Sequence, residues 1–322
     1  MKKKFTAAFL LLAAILTSGT VLQASGRPDY PHAVTQKDTS EHMFDEIDAD
    51  SDENEEDEDM SLSLSLSYPV IELSYGIQDL NLPNFSGNFS PVRMAEITFG
   101  FGSTRVSKHD TTILRHSHNY FFLSNISSGR YGAGSASVSQ LNTDMWRYGF
   151  SDKSGLGYAL STESTVLLYN GGSWMWSQLN VDGEELAAID TTAITMKDRH
   201  EINTFEGSIR FGTSAQAGIK VKVASFLAVD AGFERTLVFP RHLFWKWLGS
   251  EVVEGIGNSL ISGFIRRVEA TSPHAAPVIG FLLRSGFSYG FYQLRQSKMN
   301  WPFRSAAPLH YDSFKIGASL IF

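Results

Sequence analysis

The sequence predicts a mainly β chain: an antiparallel transmembrane β-barrel of about ten strands, within a range of eight to twelve, with an αα-hairpin inserted before the last strand. Three observations carry this. Near the C-terminal end, Phe314, Ile316, Ala318, Leu320 and Phe322 share one strand face, and Ser313, Lys315, Gly317 and Ser319 share the other. From residue 61, Leu62, Leu64, Leu66, Tyr68 and Val70 alternate with Ser61, Ser63, Ser65 and Ser67. Both stretches have the two-residue period of a strand that is apolar on one side and polar on the other. After Pro240 the period changes, and apolar residues recur at helical spacing.

The elements follow in chain order. Lys2, Lys3 and Lys4 form a basic leader, Phe5 to Val21 an apolar stretch, and Ala24 to Gly26 a small-residue cleavage region. Residues 1–26 are therefore expected to be a signal peptide for Sec-type export. The chain has no cysteine. That excludes a lipidated N-terminal cysteine, disulfides, thiolate metal sites and cysteine nucleophiles.

Residues 27–60 read as an acidic disordered tail, since Asp38 to Asp59 holds thirteen carboxylates and no Lys or Arg. Its expected partners are cations or a periplasmic protein. Asp48, Asp50 and Asp52, with Asp59 at the twelfth place, have the opening rhythm of a calcium loop, but Glu53 stands where the sharp turn wants Gly. Beyond the tail, residues 61–322 contain 22 basic and 20 acidic residues. The acidity of the whole chain belongs to the tail.

The wall itself is expected over 61–322. The apolar phase moves near Pro69 to Ile71, Leu73 and Tyr75, which predicts a bulge or a strand end there. Ala95, Ile97, Phe99 and Phe101 make a further alternating run, as do Phe205, Ile209 and Phe211. Four short, Gly-rich, aromatic segments are expected as separate strands, at 145–151, 155–161, 164–170 and 173–179. The clearest hairpin is at 218–238, where a turn near Ala224 to Phe226 would set Lys222 near Asp230. Lys220, Lys222, Asp230 and Glu234 are the expected lumen charges, and the place where selectivity would reside.

In the region 240–298 Phe244, Trp247, Leu248, Val252, Ile256, Leu260, Phe264 and Val268 predict one helix. Ser272 and Pro273 open a second, which runs through Ile279, Leu283, Phe287, Phe291 and Leu294. Small residues at Gly255, Ser259 and Gly263 and at Gly286 and Gly290 would allow the helices to approach closely. Apolar surface on both helices argues against free exposure to water. Packing into the lumen as a plug is the preferred placement; a cap, a dimer interface and a position at the rim or beside the barrel are the alternatives.

The terminal strand, with its alternating apolar residues and final Phe322, resembles the closing strand of the bacterial outer-membrane β-barrel family. In that family such an ending is read by the barrel-insertion machinery. The resemblance covers 61–322 and implies an outer-membrane location in a Gram-negative envelope, contact with outer-membrane lipid, and chain ends on the periplasmic side. It names no substrate.

The chemical inventory is thin. His116 and His118 share a strand face and could hold a metal, but only His109 and Asp110 lie near in sequence. Some family members hydrolyse lipids with a His and a Ser two places later; here His118 occupies that place, and Ser117 points away from His116. Arg241, Lys246, Arg266, Arg267, Arg284, Arg295 and Lys298 cluster around the helices, as helix-end cations or as contacts for lipid phosphates. There is no basic stripe for nucleic acid. The expectation is a structural or specific transport role in the envelope, without cofactor, metal or catalysis. A lipid-modifying enzyme and a secreted soluble β-rich binding protein are the alternatives.

Overall fold

The computed structural model describes residues 67–322, apart from 84, 132–139, 162 and 182–195. The expected signal peptide, the acidic tail and nearly all of the Ser/Leu alternation at 61–67 lie outside the described residues.

Eight antiparallel strands among the described residues close into a barrel: β1 (Tyr68–Asn81), β2 (Val92–Val106), β3 (Ile113–Ser127), β4 (Thr143–Ala159), β5 (Thr165–Val181), β6 (Ile209–Ala224), β7 (Leu227–Val238) and β8 (Leu309–Ile321). Each strand pairs with its neighbour in sequence, and β8 closes on β1, with Leu73 opposite Ala318 and Ile77 opposite Phe314. Closure leaves no wall strand with an unpaired edge.

Eight strands correct the expectation of about ten, and the reason lies in β4 and β5. The four short segments expected between 145 and 179 are two strands of 17 residues each. The glycines that suggested turns sit inside the pairing. A Cβ on Gly149 would collide with the carbonyl oxygen of Trp174, and one on Gly155 with that of Leu168. Here glycine permits close approach of two backbones within a strongly coiled sheet. Phe205 also departs from its expected place, since it ends a short helix, α1 (Met196–Phe205), ahead of β6.

Alternation sorts the side chains to two faces. Outward lie Leu73, Tyr75 and Ile77 of β1, Phe99 and Phe101 of β2, and Ile316 and Leu320 of β8, all exposed. Inward lie buried charges in two neutral clusters. In the first, Lys153 Nζ is 3.1 Å from Glu72 and 3.7 Å from Asp230, while Lys220 Nζ is 3.3 Å from Glu72. In the second, Arg147 reaches Glu96 at 2.7 Å and Glu234 at 2.8 Å, and Lys315 reaches the same two carboxylates at 2.9 and 2.7 Å. Toward the rim opposite Tyr68 and Ile321 the lumen becomes apolar. Leu80, Met94, Met145 and Leu179 pack there with Ile202 and Phe205 of α1. Side chains and this short helix fill the barrel, as expected at this diameter.

The connection between β7 and β8 carries α2 (Phe244–Thr271) and α3 (Ala276–Ser297), joined through a single 3₁₀ turn at Pro273–Ala275. The expected αα-hairpin is present, but it lies on the outer wall and not in the lumen. Every wall residue that bonds to it belongs to the outward set, from Arg115 of β3 through Tyr158 of β4 and Asn170 of β5 to Asp312 of β8. The lumen has no room, because the two ion clusters and α1 already occupy it. The expected glycine stripe is not the helix contact either, since Gly255, Gly286 and Gly290 face open space. Gly257 against Phe287 and Gly280 against Ile265 make the close approach.

Candidate functional site

The hairpin leaves and rejoins the barrel at the rim away from Tyr68 and Ile321, yet its tip reaches the other rim. Ser107, in the turn between β2 and β3, donates to Glu269 Oε1 at 2.7 Å, and Arg115 Nη2 donates to Glu269 Oε2 at 2.7 Å. Tyr158 donates to the carbonyl of His274 at 2.7 Å, and His274 Nδ1 lies 3.1 Å from Asp110. In that turn Thr112 donates to Asp110 from its hydroxyl and its backbone N–H. Those bonds hold the Asp110 carboxyl below the usual carboxylate range.

Between tip and base, polar groups face one another across a gap. The outward face of the wall carries Ser117, Asn119, Asp152, Ser154 and Asn170, a polar interruption of an otherwise apolar surface. The helices turn their own polar stripe toward it. On α2 this is Glu251, Glu254, Asn258, Ser262 and Glu269, spaced three, four or seven residues apart along one face. On α3 it is Arg284, Ser285, Ser288 and Arg295.

Some of these groups are joined directly. Asn170 Nδ2 donates to Ser285 Oγ at 2.8 Å, and Arg284 Nη2 to Ser262 Oγ at 3.1 Å. Arg295 binds Glu251 at 3.0 Å and Glu254 at 2.9 Å, which ties the two helices together. Arg235 of β7 lies against the rings of Phe233 and Tyr289, each at 4.6 Å. Tyr292 donates to Asp312 at 3.0 Å. At the base, Trp247 packs edge-on against Trp174 and Phe211 of the wall.

What these contacts leave open is a cleft of about 1060 Å³, bounded by Phe99, Phe121, Phe150 and Trp174 on the wall and by Glu254, Asn258, Ser262 and Arg284 on the hairpin. A second cavity of about 720 Å³ continues toward the tip past Arg115, Ser117 and Ile265. The cleft pairs an aromatic wall with a charged one, a lining suited to an amphiphile.

The residues singled out in the sequence are dispersed. Phe314, Ile316, Ala318 and Leu320 lie on the outward face of β8, and the backbone N–H of Phe322 bonds the carbonyl of Pro69. Lys220, Asp230 and Glu234 belong to the buried lumen clusters. Lys220, and not Lys222, stands opposite Asp230, because the hairpin turns at Ser225–Phe226 with an irregularity between Lys222 and Ala224. Lys222 lies one step nearer the rim, half-buried and opposite Ala228. His116 and His118 face the lumen, and among the described residues no group of three or more potential ligands could hold a metal. Ser117 lies on the outward face at the second cavity while His116 lies on the inward face of β3.

Sequence reasoning missed Arg147, the centre of a lumen cluster, and the helical polar stripe. The stripe was readable, since it is the complement of the apolar stripe that predicted the helices. Taking the apolar face as the packed face concealed it.

No family model matches the sequence, and no curated protein matches it either. Among solved structures it is similar to Neisserial surface protein A, NspA, at 8% identity and a TM-score of 0.37, over 79% of this chain and 97% of that one. It is also similar to Ail, the attachment invasion locus protein of Yersinia pestis, at 8% identity and a TM-score of 0.32, over 80% of this chain and 99% of that one. The barrel assignment rests on the strand pairings described above.

Proposed function

We propose that the chain is a β-barrel protein of the Gram-negative outer membrane, exported by a Sec-type signal, with a non-catalytic, non-conducting role exercised on its outer wall. One observation carries this reading: the polarity of the barrel is inside out, with paired charges in the lumen and Leu73, Ile77, Phe101 and Ile316 facing away from it. A soluble barrel would bury that apolar band, and exposing one of this extent to water is unfavourable. Hydrocarbon accommodates it.

Balanced, buried clusters support a structural role for Lys220, Asp230 and Glu234 in place of ion selection. The terminal strand, ending at Phe322, is the proposed signal for the barrel-insertion machinery. The cleft beside the barrel is where an amphiphilic ligand would be met, and that makes binding or organising lipid a better reading than transport through the lumen.

The test is fractionation of cells expressing the full chain and a variant lacking Phe322, with heat-modifiable gel mobility as the measure of a folded barrel. Heat-modifiable protein in the outer membrane, reduced in the truncated variant, is expected. Soluble protein indifferent to loss of Phe322 would sink the reading.

A further inference from the structure

The hairpin shares the inside-out polarity of the barrel. Its charged residues Glu251, Glu254 and Arg295 are turned inward and paired, whereas Val252, Ile256, Leu260 and Phe264 of α2 and Leu282 and Leu294 of α3 are exposed. Leu260 is 73% exposed, more than Leu73 on the bare wall at 61%. A helix pair packed on a water-soluble protein shows the opposite order, apolar inward and charged outward.

Dimensions point the same way. Exposed basic residues on α2 stand only near its ends, at Lys246 and at Arg266 with Arg267. At 1.5 Å per residue Lys246 and Arg266 are about 30 Å apart, close to the roughly 30 Å thickness of a bilayer's hydrocarbon core. Trp245, 79% exposed, sits beside Lys246 where an interfacial aromatic belongs. Because the tip docks at Ser107 and Arg115, the hairpin runs along the wall from one rim to the other and continues the wall's apolar belt sideways.

We propose that the hairpin is immersed in the bilayer beside the barrel, with acyl chains covering its exposed face and its polar stripe sealed against the wall. The inference rests on the membrane reading of the barrel. Neither helix is long and apolar enough to cross a membrane by its own hydropathy. The wall supplies what each lacks, since Arg115 and Asn170 answer polar groups that hydrocarbon would leave unpaired. The cleft of about 1060 Å³, with its aromatic wall facing charged helix residues, then lies at membrane depth.

The absence of cysteine makes the test direct. Single Cys variants of the full chain at Ile256, Leu260, Phe264 and Leu282 carry a nitroxide, with Leu73 and Ile77 as references on the bare wall. Each variant is first checked for heat-modifiable mobility, then reconstituted in phosphatidylethanolamine–phosphatidylglycerol vesicles. Collision of the label with oxygen, which concentrates in hydrocarbon, is compared with collision with a water-soluble nickel chelate. We expect oxygen to exceed the chelate several-fold at the hairpin positions, as at Leu73 and Ile77. Lipid readings on the wall with aqueous readings on the hairpin would overturn the inference and leave the barrel in the membrane. Low collision with both reagents on the hairpin would mean a protein partner covers it, and would also overturn it. Aqueous readings at Leu73 and Ile77 as well would remove the membrane reading itself.

Discussion

Arg147 has none of its side chain exposed and hydrogen-bonds five partners: Ser124, Glu96, Glu234, Tyr311 and Met94. A charge in that position is held by its neighbours, and removing it strands them. Arg147→Met should leave Glu96 and Glu234 with Lys315 alone and cost about 3–5 kcal/mol. The check is the urea midpoint of the refolded barrel, followed by loss of heat-modifiable mobility. Adding Glu234→Gln should recover part of the loss, because the two sites are coupled. Gly149 gives a second test of a different kind. Gly149→Ala places a Cβ against the carbonyl oxygen of Trp174 and should destabilise by about 1–3 kcal/mol, read from the same midpoint. Residue identities of this sort were only half legible. Alternation told which face Lys220 and Asp230 occupy, but not that Lys220 is the partner across the strand, since a local irregularity near Lys222 resets the register.

At the scale of the element, the hairpin is fixed along its length: the tip at Glu269 and His274, the middle at Asn170 and Ser285, and the base at Tyr292 and Trp247. Glu269 is the place to cut. Glu269→Ala removes the partner of Ser107 and of Arg115 together, so amide exchange should rise at residues 266–275 while the barrel strands keep their protection. Arg295→Met acts elsewhere, leaving Glu251 and Glu254 without a cation. It should loosen α2 from α3 and raise exchange along both helices without changing the mobility of the folded barrel. The existence, order and near-limits of both helices were legible from the change of period after Pro240. Their placement was not, because an apolar stripe says that a face is removed from water and does not say whether protein or lipid removes it. The strand number, eight, falls at the low end of the expected eight to twelve for a related reason: glycines inside β4 and β5 carry the same composition as glycines in turns, and only the close backbone approach at Gly149 and Gly155 tells them apart.

On the scale of the whole molecule, the lumen is closed twice, by paired charges over much of its length and by apolar packing with α1 toward the far rim. Purified protein in planar bilayers should therefore show no stepwise ion current at moderate voltage. Reproducible unitary openings would refute the non-conducting reading. Architecture at this scale was the most legible part of the sequence, because inward and outward faces repeat along every strand and each strand votes for the same answer. The hairpin then adds something that alternation could not announce. It is bonded to one arc of the wall, from β3 round to β8, and leaves Leu73, Tyr75 and Ile77 of β1 exposed. In the plane of the membrane proposed for it, an ordinary small barrel would look alike from every direction; this one would have a front and a back. A neighbour arriving laterally there would meet strand on one side and helix on the other, so any assembly joined in that plane would have a direction.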